Sequence, residues 1–509
     1  MTTSTPPLTA RVARRAVVAA GLIGAFAAGQ PLHALDDATL ERLDATFESY
    51  RLDAHIPGRV FGVVMDGRLV RVKGLGVQDL ETKRAVGADT LFRIASMTKA
   101  FTALSILRLR DEGRLALDAP AETYVPEMRG WRYPTGDSPR IRVRELLTHT
   151  AGFVTDDPWG DRQTPLPEEE FTRLLHDGVP FTRPVATAME YSNLGYALLG
   201  RIVANVSGQP YADFVKRTLF DPLGMPSTGY DATRDPDGRR ALGYRWEDGA
   251  WKLEPTMAHG AFSAMGGIQT SAHDYARWLS FLLSAWPPRD GPDEGPVRRS
   301  SVRELAQGAN YAQVRERPGA SGPEACRQAV AYGMGMRVAT DCELGLTLSH
   351  SGGYPGYGSH ALILPDYGVG VFALANRTYS GPSAPVWDAA MALLRSGQLK
   401  PRTVPVEPAL AAAYEAAGRI FTSGSVAAAG DLLAMNFPMD RDAAHWARLL
   451  AELKAEVGAC ETTSPITPTG ALSGGFRWTC ERGRVKGSVL LAPTRPPGIQ
   501  QLRLERLSP

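Results

Sequence analysis

The sequence predicts an α/β fold in which an antiparallel sheet, assembled from both ends of roughly the first four hundred residues, encloses a helical insertion. Three observations predict it. Residues 59–77 alternate and turn at Asp66-Gly67, as a hairpin does. From about Leu117 to Trp286 the chain reads as helical segments separated by Gly/Pro-rich loops, such as 195–206 and 271–284. Extended patterns then return at 332–339, 346–351, 359–364 and 370–375, and a helix at 386–394 closes the region.

The chain has 509 residues, 44% hydrophobic and 22% charged, which is too long for one ordinary domain. Its net charge of +2, without a basic stripe, argues against nucleic acid and leaves small molecules or peptides as expected ligands. At the N-terminus Arg11, Arg14 and Arg15 precede the apolar run 16–28. That run is shorter than the ~20 residues a membrane span needs and reads as a signal peptide with cleavage after Ala34. Arg14-Arg15 also fits a twin-arginine signal, so either export route remains open. The expected location is periplasmic or secreted, with no stable membrane insertion after removal of the leader.

A helix follows over 37–53, with Leu40, Leu43 and Phe47 on one side. Another runs from 95 to 109 on Phe101, Leu104 and Leu107, which puts Ser96 at or just before its first turn. Four cysteines form two local pairs by spacing, Cys326 with Cys342 and Cys460 with Cys480, although three pairings are open in principle. Residues 401–406 are rich in Pro and Val and read as a linker. Beyond them, helices at 408–421 and 443–457 and strands at 475–481, 485–492 and 500–507 predict a small α+β unit. The expected organisation is therefore a leader over 1–34, a main domain over 35–399 and an accessory domain over 400–509.

The chemistry is carried by three short motifs. In Ser96-Met97-Thr98-Lys99 a hydroxyl stands one helical turn from an amine. An amine held in a desolvated pocket can lose its proton and accept the serine's. In Tyr191-Ser192-Asn193 the tyrosine and asparagine share a side if the backbone is extended. Tyr191, its pKa lowered beside an ammonium, is a candidate proton shuttle, and Asn193 can hold both Lys99 and substrate. His350-Ser351-Gly352-Gly353 closes an extended stretch whose bare glycines would let a substrate backbone lie alongside. The amides of Ser96 and Gly353 are candidates for an oxyanion hole. No metal-ligand spacing and no Gly-x-Ser-x-Gly elbow is present, and no cofactor is expected.

In this order, Ser-x-x-Lys, Tyr-x-Asn and His-x-Gly resemble the serine β-lactamase and penicillin-binding-protein superfamily. The Tyr-x-Asn form is similar to the branch of class C β-lactamases, D-Ala-D-Ala carboxypeptidases, D-aminopeptidases and family VIII esterases. Residues 146–152, 221–225 and 266–272 are similar to structural segments of that branch. The resemblance spans about 37–397 and implies a β-lactamase/transpeptidase-like sandwich, an antiparallel sheet flanked by helices, with an all-helical subdomain and a cleft between them. It implies Ser96 as nucleophile of an acyl-enzyme, Lys99 and Tyr191 as proton carriers, and Asn193, His350, Gly352 and Gly353 as substrate-binding residues. Class C β-lactamases usually carry lysine at the place of His350. Histidine, partly charged at neutral pH, would make carboxylate recognition pH-dependent and favours a peptidase, carboxypeptidase or esterase over a β-lactamase. The rival from another class is a noncatalytic penicillin-binding-like recognition protein. Oligomeric state and substrate identity are not expressed in these patterns.

Overall fold

The main sheet has eight strands: β1 (Gly58–Met65), β2 (Arg68–Gly76), β3 (Asn310–Pro318), β4 (Ala325–Tyr332), β5 (Arg337–Asp341), β6 (Gly345–Tyr354), β7 (Tyr357–Leu364) and β8 (Val369–Ala375). Their order across the sheet is β2-β1-β8-β7-β6-β5-β4-β3, all antiparallel. The hairpin from one end of the region therefore pairs with the last strand from the other, through Arg59 opposite Ala375 and Met65 opposite Val369. The computed structural model describes residue 1 and residues 35–235, 237–318, 325–402 and 404–507. The expected apolar leader lies outside the described residues.

The central strands are apolar on both faces because both faces are covered, and the period of two divides them. Phe61, Val63, Val371 and Ala373 pack on one side against α1 (Asp37–Asp53) and the late helix Ser383–Arg395. Val60, Val64, Phe372 and Leu374 join the larger core on the other side. That core includes α2 (Lys99–Asp111), α3 (Asn193–Ser207) and α4 (Ala272–Leu283). Phe101 of α2 stacks on Trp278 of α4 with ring centroids 3.6 Å apart, which fixes α2 against the sheet side.

The expected strand over 332–339 is not continuous. Tyr332 ends β4, Gly333 donates its N–H to the Met336 carbonyl at 2.9 Å, and Arg337 begins β5. Gly335, at φ +78°, permits that turn, which the Gly-Met-Gly-Met sequence foreshadows. β3 and β4 lie at the sheet edge and carry many polar and charged residues, which hides them from a search for apolar alternation.

Both local cysteine pairs are bonded, Cys326–Cys342 and Cys460–Cys480. The last hundred residues hold their own apolar cluster, built from Tyr414, Phe421, Trp446, Trp478 and Ile499 among others. It contains helices α5 (Pro408–Ser423) and α6 (Ala443–Val457) and a four-stranded antiparallel sheet, which adds Thr467–Gly470 to the three expected strands. A groove of about 710 Å³ runs between α6 and the final strand, and none of the candidate catalytic residues lines it. No helix among the described residues is long and apolar enough to cross a membrane.

Candidate active site

Ser96 lies in a single 3-10 turn, Ala95–Thr98, that leads directly into α2 at Lys99. With three residues per turn, positions i and i+3 eclipse, so the Ser-x-x-Lys spacing aligns hydroxyl and amine more closely than an α-turn would. Ala95 enters the turn at φ +47°, a left-handed conformation unfavourable for a residue with a Cβ. The surrounding contacts hold it: Ile94 donates its N–H to Ile268, and its carbonyl accepts from both Met97 N–H and Ser359 Oγ. Ser96 Oγ then stands 3.1 Å from Lys99 Nζ.

Lys99 is fully buried, and its ammonium has three hydrogen-bond partners. Besides Ser96, it donates to Asn193 Oδ1 at 2.7 Å and to the Met265 carbonyl at 2.8 Å. The rings of Tyr191 and Tyr196 lie 4.9 and 5.4 Å from Nζ. Burial lowers its pKa to about 8, against the upward pull of Asp157, Asp161 and Asp156.

Tyr191 lies beside Lys99, its ring 4.9 Å from Nζ, and Ser96 is among the groups that act on its phenol. Its charge state differs from expectation. The residue is half-buried, and desolvation of the phenol pushes its pKa well above the ordinary value, although Ser96 opposes this. The neighbouring ammonium does not win because an anionic phenolate is the form that burial penalises.

Ser192 caps α3 with its side chain on Gly195 N–H, in extended backbone that carries Tyr191 and Asn193 into the site. His149 accepts the Ser192 N–H at 3.1 Å and packs its ring on Tyr191, with centroids 4.3 Å apart. It supports the motif from behind, in keeping with a structural role for residues 146–152.

His350 stands on β6 with its ring centroid 6.1 Å from that of Tyr191. Its Nδ1 donates to the Ser351 carbonyl at 2.6 Å, and Nε2 accepts from the Tyr332 hydroxyl at 3.0 Å. Both nitrogens are thus satisfied in the neutral form. Burial, with Lys99 and Arg337 adding to it, lowers the His350 pKa to about 3. The expectation of a partly charged histidine at neutral pH is overturned by this burial.

Both glycines are closely packed on their Cα side. A Cβ on Gly352 would meet Ile94 O and Ser359 Oγ, each at 2.2 Å. That missing side chain makes room for the nucleophile turn. A Cβ on Gly353 would meet the Tyr379 ring at 2.7 Å.

Several residues at the site were not singled out from sequence. The short helix Asp157–Gly160, with Asp156 as its N-cap and Pro158 in its first turn, brings carboxylates to Asn193 and Lys99. The Asp-Asp-Pro signature marks a helix start, but not what it touches. Burial, with neighbouring Asp157 adding to it, raises the Asp161 pKa to about 7. Tyr332, the partner of His350, also escaped notice, being read as part of a strand.

A buried lysine touches a serine one turn away and an asparagine from a distant segment. The sequence profile of the beta-lactamase family matches residues 40–396. The chain belongs to the beta-lactamase family. Esterase EstB of Burkholderia gladioli is 30% identical over 393 residues, covering 69% of this chain and 94% of its own. Protein flp of Staphylococcus aureus (strain N315) is 29% identical over 342 residues, 66% of this chain. The match spans 63% of the length of flp. An octameric penicillin-binding protein homologue from Pyrococcus abyssi shares the fold with a TM-score of 0.59 at 21% identity, over 91% of this chain and 99% of that one.

Proposed function

We propose that the protein is an exported serine hydrolase that cleaves an amide or ester through an acyl-enzyme on Ser96, acting as a peptidase, carboxypeptidase or esterase. The observation that carries this reading is the 3.1 Å contact between Ser96 Oγ and a Lys99 amine whose pKa burial brings down to about 8. At neutral pH a usable fraction of that amine is unprotonated and can act as base. Ser96 Oγ attacks the substrate carbonyl carbon while its proton passes to Lys99 Nζ. The bond to the leaving alcohol or amine breaks, and that proton returns to the leaving group through the nearby Tyr191 hydroxyl, which serves as a neutral donor. Water then attacks the acyl carbon, releases the acid and restores the Ser96 hydroxyl. Asn193 orients Lys99, and the amides of Ser96 and Gly353 are the proposed donors to the oxyanion.

His350 contributes a neutral wall instead of a cation, which supports substrates that do not depend on a carboxylate at that position. The esterase relative supports the same direction. Export is supported by the two disulfides and the N-terminal apolar run.

The test is intact mass of the mature protein, wild type and Ser96→Ala, after incubation with a penicillin and with p-nitrophenyl esters, alongside product analysis. The reading expects ester turnover or a Ser96-dependent acyl adduct that Ser96→Ala abolishes. Catalytic consumption of the penicillin would turn the assignment to a β-lactamase. Binding that survives in Ser96→Ala without any adduct or turnover in the wild type would favour the recognition protein.

A further inference from the structure

We infer that Asp157 is a positioning residue for catalysis: it fixes the orientation of the Asn193 amide, and Asn193 in turn holds Lys99 against the nucleophile. This inference rests on the reading of Ser96 and Lys99 as nucleophile and base. Asp157 Oδ1 accepts from Asn193 Nδ2 at 2.9 Å, and Asn193 Oδ1 accepts from Lys99 Nζ at 2.7 Å. An amide has two chemically different ends, so a carboxylate at one end and an ammonium at the other permit a single orientation. The flipped amide would set its N–H groups against the ammonium and its carbonyl against the carboxylate. The chain of contacts therefore runs Asp157, Asn193, Lys99, Ser96, each link between 2.7 and 3.1 Å.

Two further features hold Asp157 at that distance. Asp156 clamps the start of α3, its carboxylate accepting the backbone N–H groups of Asn193 at 2.6 Å and Leu194 at 2.9 Å. Gly160 lets the short helix lie directly on the asparagine, since a Cβ there would stand 2.8 Å from Asn193 Cβ and 3.0 Å from Nδ2. Adjacent carboxylates thus divide the work, Asp156 holding the backbone and Asp157 the side chain.

Asp157 also carries charge toward Lys99. The amine is faced by Asp156, Asp157 and Asp161 from the loop side and by Tyr191 and Tyr196 from α3 and its approach. His149 and His350 feel its charge from the far side, with Arg337 beyond them. A negative group favours the ammonium, so removing it lowers the Lys99 pKa and moves the acid limb of the base-dependent rate to lower pH.

The experiment compares wild type, Asp157→Asn and Asp157→Ala in the full chain. One readout is kcat and KM for a neutral p-nitrophenyl ester. The other is the rate of Ser96 labelling by phenylmethanesulfonyl fluoride from about pH 5 to 10, read by intact mass. In labelling, the Oγ–S bond forms, S–F breaks, fluoride leaves and the serine proton goes to Lys99, so no turnover is required. Asp157→Asn keeps an acceptor for Nδ2 and loses the charge. It is expected to retain kcat within about fivefold, with its acid limb displaced to lower pH. Asp157→Ala loses the acceptor as well and is expected to lower kcat by roughly 10- to 100-fold at nearly constant KM, in the range that misplaced catalytic groups cost.

Unchanged kcat and an unmoved limb in Asp157→Ala would overturn the proposal. So would an Asp157→Asn variant with an unmoved limb and the same loss as alanine, which would mark a merely structural residue. If the alanine variant does not fold, the position of the asparagine variant's limb decides. A wild type that is labelled but hydrolyses no ester would defeat the substrate reading and leave the limb shift to judge Asp157. A wild type that is not labelled at any pH would overturn both.

Discussion

Lys99 and Tyr191 share one buried pocket, and the same desolvation drives them in opposite senses. Burial favours the neutral form, so it brings the amine down to about 8 and carries the phenol further from ionisation. Lysine is therefore the base available near neutral pH, and tyrosine the neutral hydrogen-bonding partner. His350 obeys the same rule, its pKa lowered to about 3. Above that value it is neutral, keeping only its Nδ1 proton, so no titration of His350 occurs between about pH 5.5 and 7, where Lys99 also keeps its charge. The turnover ratio of a carboxylate-bearing ester to its neutral analogue is expected to stay flat over that interval. A ratio falling with an apparent pKa near ~6.5 would show a protonated histidine and contradict the buried, doubly bonded geometry.

At the scale of elements, the site exists because three supports meet at the nucleophile turn: the turn itself, the start of α3, and β6. Their contacts are close enough that a methyl group matters. Gly352→Ala would place a Cβ 2.2 Å from Ile94 O and from Ser359 Oγ, atoms joined by a 2.8 Å hydrogen bond that braces the turn. Overpacking of this kind costs about 1–3 kcal/mol, and a displacement of about 1 Å at a nucleophile can cost ~100-fold in rate. The variant is expected to melt several degrees lower and to lose at least about tenfold in kcat. Wild-type melting and kcat together would show that β6 does not brace Ser96. The Ser-x-x-Lys spacing was legible because it is local. The supports were not, since Ile94, Gly352 and Ser359 are brought together by pairing between β6 and β7 and by the return of that hairpin to the N-terminal region.

For the whole molecule, two bodies of apolar contacts are built on either side of residues 400–405. The N-terminal one reaches Leu399, beyond the helix at Ser383–Arg395, and the C-terminal one begins with Val406, packed against the cluster that holds Leu410. Arg402 is tied back to the first body through Asp66 and the carbonyls of Leu283 and Trp286. We propose that the C-terminal unit folds as an accessory domain. Limited proteolysis is expected to cut within 397–407 and release a fragment of about a hundred residues that keeps its Cys460–Cys480 bond and melts cooperatively. A protease-resistant core that runs unbroken across residue 400 would contradict this. None of the candidate catalytic residues lines its groove between α6 and the last strand, so removal of the unit tests whether hydrolysis needs it.

Much of the architecture was determined by sequence alone. Alternation over 59–77 and after 345 specified strands, the Asp66-Gly67 pair specified the hairpin turn, and the order of three motifs specified the family. Such features depend on a few neighbouring residues, where spacing translates directly into geometry. The tertiary structure decided what spacing does not encode: the break between β4 and β5, the neutral state of His350, the raised pKa of Tyr191 and the contact of Asp157 with Asn193. Ionisation depends on how much water and charge surround a group, and those surroundings here come from segments separated by up to hundreds of residues. Ser96, Lys99, Tyr191 and Asn193 could be found from their own short motifs; Asp157 became visible only when the chain closed on itself.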